Sequence, residues 1–391
     1  MITVRLKRGR EGPVQAGHPW VFSGAIDRIM GEGAPGALVH VVTAEEHPIG
    51  VGYYNPLCSI AVRLLTRTFE TIDSQFIFRR LTSALALRQA ILPPQTTGYR
   101  LVNGEGDFLP GVVVDVYGDF VVCQFLTAGA EALKPLIVDE LASLLAPRGI
   151  YEKSEGAVRK EEGLPNAAGV LWGQEPPPLV TIEEYGCHFG VHLQGGQKTG
   201  FFLDQRENRA LFGSLAPGKT VLNGFSYSGG FGVYAARHDA AHVVSVDASA
   251  PAIQLARQNW QLNHLPASQG TFIQADMFTY LREASKPFDL IVLDPPPFIR
   301  RRQDLQAGMK GYKEIHLQAL RQLPPGGQLL SFSCSQHLSV VDFLQTIQFA
   351  AADTGRSIQL LKYLGPGPDH PTNLAHAEGT YLKGVWLRVG P

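Results

Sequence analysis

Apolar and polar positions alternate in short runs over the first seventy residues. Val4-Arg5-Leu6-Lys7 alternates, and Ala37 to Thr43, Pro48 to Tyr54 and Ile60 to Thr66 are rich in β-formers between Gly, Pro and Asn turns. This pattern predicts a small β-barrel. The period then lengthens. Phe76, Ile77, Leu81, Leu85 and Leu87 recur near helical spacing, which predicts a helix from Ser74 to Ile91 stopped by Pro93-Pro94. Tyr99 to Thr127 has strand character again, Leu133 to Leu145 is helical, and Pro176-Pro177-Pro178 marks a linker. From Val180 onward β-rich runs (Val221-Leu222, Val243 to Val246, Phe272-Ile273, Leu290 to Leu293, Leu329 to Ser333) alternate with helical patterns such as Pro251 to Asn263. Repeated βα units predict a doubly wound, Rossmann-like α/β sheet. The expected organisation is a small β-barrel domain at 1–72, a central α+β domain at 73–180 and an α/β domain at 181–391.

Composition narrows the picture. With 45% hydrophobic and 18% charged residues, the chain of 391 residues is neither disordered nor a coiled coil. A net charge of -1 excludes a strongly basic nucleic-acid tail, though not local basic faces. The first residues have no apolar core and no long apolar run occurs anywhere, so neither a signal peptide nor a membrane span is expected. Cys58, Cys123, Cys187 and Cys334 lie too far apart for a CxxC-type metal site. Four cysteines kept as thiols fit a cytoplasmic protein.

The most informative stretch is Thr220 to Asp247. A strand runs into Ser226-Tyr227-Ser228-Gly229-Gly230, a helix follows, and the next strand ends at Asp247. Glycines allow close backbone approach to a ligand, and the terminal acid can accept hydrogen bonds from a ribose diol. The turn is not GxGxxG, which disfavours a dinucleotide and favours S-adenosylmethionine. Asp276, after another short strand, is either an adenine-contacting acid or a helix N-cap.

A second constellation sits further on. Leu290 to Leu293 ends in Asp294-Pro295-Pro296-Pro297-Phe298, and prolines cannot continue a strand interior. They place Asp294 and Phe298 at the carboxyl edge of the sheet, where such sheets bind ligands. The next strand ends at Cys334, which makes this cysteine the candidate nucleophile, whereas the other three are read as structural. A thiolate is needed to make carbon 5 of a pyrimidine reactive, by adding at carbon 6. Residues 195–206 are dense in polar groups and are candidates to close over the cofactor, with Lys198 among them. Glu378 offers a carboxylate for the carbon-5 proton. Arg300, Arg301, Arg302, Lys310 and Lys313 suit a phosphate backbone.

With these residues in place, the chain resembles the bacterial large-ribosomal-subunit RNA cytosine-C5 methyltransferases. The motifs are GHPWVFSGAI (17–26), GGQKTGFFLDQRENR (195–209), NGFSYSGGF (223–231), VVSVDAS (243–249), DPPPF (294–298), KGYKEIH (310–316), FSCS (332–335) and EGTYLKG (378–384). The resemblance implies a PUA domain that binds RNA at 1–72, a central α+β domain and a class I methyltransferase domain. It implies S-adenosylmethionine near Phe225, Ser226, Tyr227, Gly229, Asp247, Asp276 and Asp294, and Cys334 as nucleophile. Lys198, Phe298, Arg300, Arg301 and Lys310 are the expected contacts to ribosomal RNA. There are two departures: Pro297 where the family usually has lysine, and Gly224 where many members have cysteine. Two other functions stay open: an amino-group N-methyltransferase acting on an RNA base, and a non-catalytic RNA-binding ribosome-assembly factor. A monomer and a homodimer are equally compatible with the sequence.

Overall fold

The computed structural model describes residues 2–196, 199–284 and 287–391. Among the described residues no helix is long and apolar enough to cross a membrane. The chain forms two compact units. The first comprises Met1–Ile182, Val191–Leu203 and Pro368–Gly379, and the second Glu183–Gly190, Asp204–Gly367 and Thr380–Pro391.

The first unit contains two sheets. Six strands between Ile2 and Thr66 pair mostly antiparallel, and Val4, Leu6, Val39, Val41, Val62 and Leu64 fill their core. Pro48–Tyr54 and Ile60–Thr66 coincide with the runs expected from sequence. Gly52 is required there, because a Cβ would lie 2.4 Å from the Arg63 carbonyl. A five-stranded sheet follows, spanning Gly98 to Gly173, with helices Ser74–Ile91 and Ala128–Leu145. The second helix starts five residues before the expected Leu133. Its first turn carries no bulky apolar residue to mark it, and Thr127 caps it through Ala130 N–H at 3.3 Å. Gly129 in that turn sits against the ring of Tyr53, where any Cβ would collide.

The late segment 368–379 completes this unit. The Asp369 carbonyl accepts from buried Arg88 at 2.8 Å, its carboxylate from the Arg100 backbone at 3.1 Å, and the Pro371 carbonyl from Asn103 at 3.0 Å. Segment 191–203 is also held here. Thr199 donates to Asp115 at 2.6 Å, and Lys153 reaches the carbonyls of Leu193 and Gly196.

The second unit is built on a seven-stranded sheet. Its strands are β1 (Thr220–Gly224), β2 (His242–Asp247), β3 (Gly270–Gln274), β4 (Leu290–Leu293), β5 (Gln328–Ser333), β6 (Ile358–Leu364) and β7 (Lys383–Val389). Their order is β3-β2-β1-β4-β5-β7-β6. The first five run parallel and β7 runs antiparallel to both its neighbours. The helices are α1 (Arg206–Ser214), α2 (Gly230–Arg237), α3 (Ala250–Leu262), α4 (Met277–Glu283), α5 (Leu305–Gln322) and α6 (Val340–Thr354). One apolar cluster gathers Phe212, Phe231 and Trp260 from α1–α3. The other gathers Leu281, Ile315 and Phe343 from α4–α6 on the opposite face. The doubly wound expectation is met. The strand order reverses between β1 and β4, which opens a crevice at their carboxyl ends.

Candidate active site

The loop leaving β1 has an unusual backbone. Phe225 (φ 57°) and Tyr227 (φ 42°) are both left-handed, as is Gly229 (φ 77°). Left-handed non-glycine residues each store roughly 1–3 kcal/mol and persist where the surroundings impose them. Here the Ser226 N–H is tied to the Val246 carbonyl at 3.0 Å, and the Tyr227 N–H to the Asp247 carboxylate at 2.9 Å. At Gly229 a Cβ would sit 2.9 Å from that of Ala256, so only glycine allows α3 to pack this close. Asp247 also accepts from the Ser249 N–H at 2.9 Å. Its carboxylate is thus fixed at the end of β2 with lone pairs to spare.

Nucleoside-cofactor chemistry can be tested on this loop. The Ser226 hydroxyl is buried and finds no hydrogen-bond partner among the described residues. A fixed carboxylate with lone pairs to spare and an unsatisfied hydroxyl at the carboxyl ends of β1 and β2 form a polar set that fits the adenosyl and ribose groups of S-adenosylmethionine. Asp276 caps α4, accepting from the Thr279 N–H at 2.9 Å, and it is exposed. Gly224, which stands where many members of the family have cysteine, is buried in β1. A Cβ there would stand 2.9 Å from both Leu293 Cδ2 and Met277 Sδ, so a small side chain would have to displace the ends of these two flexible residues.

Strand parity settles which way the next residues face. Leu290 and Val292 of β4 pack with α1–α3, whereas Ile291 and Leu293 pack with α4–α6. Leu330 and Phe332 of β5 also pack with α1–α3, while Ser331 and Ser333 bond His316 and Tyr312 of α5 at 2.8 Å each. Continuing each alternation by one step puts Asp294 and Cys334 on the α1–α3 side of neighbouring parallel strands. The contacts agree with this: Asp294 accepts from Gln205 at the start of α1 at 3.1 Å, and half-buried Cys334 packs against the α1–α3 cluster.

Gln205 lies in the segment 195–206 expected to close over the cofactor, but its pairing with Asp294 is not legible in the sequence. Its amide is oriented by Asn208, which donates to its Oε1 at 2.6 Å, and so its Nε2 is turned to Asp294. Only a pairing between distant segments reveals this role.

The remaining candidates fall as follows. Phe298 is half-buried in an aromatic group with Tyr312 (ring centroids 4.6 Å), Phe278 (5.8 Å) and Phe225 (6.4 Å), so much of its ring serves packing. Arg300, Arg301, Arg302 and Lys310 are exposed beside it, while Lys313 is paired with Asp353 at 2.7 Å. Lys198 lies outside the described residues. Glu378 belongs to the first unit, where it meets His18 at 3.4 Å and His376 at 3.8 Å. Burial works to raise its carboxyl, but its hydrogen bonds, including that from His18, hold it below the usual range. No cluster of residues that could hold a metal ion occurs among the described residues.

A glycine-bearing left-handed loop, an acid closing the second strand and a reversal of strand order define a nucleoside-cofactor α/β enzyme. Comparisons with known proteins make the class specific. Residues 4–67 match a PUA-like domain, and residues 115–381 match the S-adenosylmethionine-dependent methyltransferase model. The chain belongs to the PUA-containing S-adenosylmethionine-dependent methyltransferase family. It is 40% identical over 393 residues to the Ribosomal RNA large subunit methyltransferase I of Aliivibrio fischeri, and 42% identical to that of Aeromonas salmonicida, covering 99% of each chain. Among solved structures it is similar to a candidate S-adenosylmethionine-dependent methyltransferase from Streptococcus mutans (TM-score 0.84, 25% identity, all of both chains). It is also similar to a candidate methyltransferase solved with S-adenosylhomocysteine (TM-score 0.86, 25% identity, all of both chains).

Proposed function

We propose that this methyltransferase acts on large-subunit ribosomal RNA and methylates carbon 5 of a cytosine through a covalent bond from Cys334 to carbon 6. The observation that carries the reading is the placement of Cys334 and Asp294 at the carboxyl ends of adjacent parallel strands, on one face of the sheet. Phe225, Ser226, Tyr227, Gly229, Asp247 and Asp276 would hold the cofactor, with Asp294 at its edge. When bound, the cofactor supplies an electrophilic methyl group to carbon 5.

The protein's part is to make carbon 5 a nucleophile. The Cys334 thiolate adds to carbon 6, and the π pair moves onto carbon 5. Once carbon 5 carries the methyl group, its proton must leave. We assign that proton to Asp294, held by Gln205. The carbon 5–carbon 6 double bond re-forms and the thiolate is expelled. The cytosine has to leave its stack to reach the sheet edge, which costs a few kcal/mol. Arg300, Arg301 and Lys310 would pair with phosphates, and the PUA-like sheet would add a second RNA contact.

The test is methyl transfer from labelled cofactor to ribosomal RNA by the wild type and by Cys334→Ala. The variant is expected to lose transfer by at least about a thousandfold, in line with removal of a covalent nucleophile. Full transfer by the variant would exclude the covalent route and favour amino-group methylation, which needs no thiol. Mass analysis of the product nucleoside reports the base directly.

A further inference from the structure

Lys383 opens β7 directly opposite Ser333 of β5, and only 6% of it is exposed. Its ammonium donates to the Ser335 carbonyl at 2.9 Å, one residue past Cys334. Ser335 is fully buried. Its Oγ accepts from the Ile299 N–H at 3.2 Å and shares a hydrogen bond with the Tyr312 hydroxyl at 3.0 Å, while its N–H donates to Ser333 Oγ at 3.2 Å. The turn bearing Cys334, the loop that follows Asp294 and the Lys383 ammonium are thereby locked into one buried corner.

Among the described residues Lys383 has no carboxylate partner. A buried cation is costly unless an anion or hydrogen bonds compensate it. One carbonyl is a partial answer. Cys334, in the turn that the Ser335 bond anchors, is a group able to carry negative charge that bears on this ammonium. Burial pushes the lysine down from its ordinary value, and Cys334 is the group that works against this.

We infer that Lys383 is a positioning residue for the thiol: its charge favours the thiolate of Cys334, and its bond to Ser335 fixes the turn that presents it. Other ionisable groups border this corner. Tyr312 comes from α5, and burial raises its phenol, so it stays neutral. Tyr381 packs on the same apolar cluster as Cys334 and is bonded to Asp204 at 2.6 Å. Asp294 comes from the end of β4 and opposes Lys383 by placing negative charge on the thiol's side. The net state of the thiol is set by that opposition.

The inference rests on Cys334 as the nucleophile, but its test needs no RNA. The full chain is alkylated with iodoacetamide from about pH 6 to pH 10, and modification of Cys334 is followed by peptide mass spectrometry, which separates it from the other thiols. The wild-type midpoint is expected below about 8.5, the free-thiol value. Lys383→Gln keeps a donor for the Ser335 carbonyl but removes the charge. It should raise the midpoint by about one unit and slow modification at neutral pH roughly threefold, since the more basic thiolate is also the better nucleophile. Lys383→Arg should keep the midpoint low. An unchanged midpoint in Lys383→Gln would overturn the inference. So would a wild-type midpoint at or above about 8.5, and that measurement decides alone if the variants do not fold. Full methyl transfer by Cys334→Ala would defeat the covalent mechanism and leave this titration standing. A flat response to Lys383→Gln would do the reverse.

Discussion

Single residues in the cofactor loop do two tasks at once. Asp247 holds the left-handed turn through Tyr227 and Ser249 while keeping lone pairs for a ligand. Hydrogen bonds to a charged group contribute about 1.5–3 kcal/mol each. Asp247→Ala releases the strained turn as well as the ligand contact. Titration calorimetry with S-adenosylmethionine should therefore show affinity reduced by about tenfold to a hundredfold. Affinity equal to wild type would mean that the acid is only a structural cap. The turn at Ser226 and the strand end at Asp247 were legible in the sequence, because a glycine-rich turn and a strand-ending acid are local signals. The pairings of Gln205 and Lys383, which lie in stretches quoted from the sequence, were not. Each meets its site through a segment far away in the chain, and neither motif spacing nor hydropathy encodes such a meeting.

At the level of elements, β5 and α5 share a polar seam inside an apolar layer. His316 is wholly buried between Ser331 (2.8 Å) and Thr346 (3.3 Å). Burial pushes its imidazole down from 6.5 to about 3. The unfolded chain takes up a proton below about pH 6.5, whereas the folded chain resists it until about pH 3. Stability from this residue is therefore complete above the unfolded value and drains away as pH falls toward the folded one. The melting temperature of the wild type should drop more between about pH 7 and pH 5 than that of His316→Gln, which has no such proton to gain. Equal drops would show that the ring is not held neutral. Elements themselves were largely legible. The helix Ser74–Ile91 and the strands Pro48–Tyr54 and Ile60–Thr66 have the expected limits, since period and breakers agree there. The early start of Ala128–Leu145 was hidden because its first turn is made of small residues that fit against Tyr53, with no periodic burial to mark them.

For the whole molecule, charge is close to balanced, so the proposed RNA affinity must come from local faces. Much of the basic character near the N-terminus is already paired, as in Arg5 with Asp27 and Arg8 with Glu45, both at 2.8 Å. The exposed cations after Phe298 are better placed to release counterions. Replacing Arg300, Arg301 and Lys310 together by alanine should flatten the dependence of log affinity on log salt by about two units, at roughly 0.7–0.9 for each phosphate no longer neutralised. A slope identical to wild type would remove this loop from the interface. The sequence leads to divisions at 72 and 180 as an expectation, whereas compactness gives two units and assigns segments 191–203 and 368–379 to the first. That assignment was invisible in sequence, because excursions of a dozen residues leave no compositional shift.

Those excursions constrain how the molecule is born. The chain changes unit after residues 182, 190, 203, 367 and 379. The ribosome therefore delivers Asp369 and Pro371, which Arg88, Arg100 and Asn103 await, only after nearly all of the second unit has emerged. Vectorial maturation, one finished module after another, is closed to this polypeptide. Its first module must wait, part-built, for a clasp synthesised after residues 204–367 of the second.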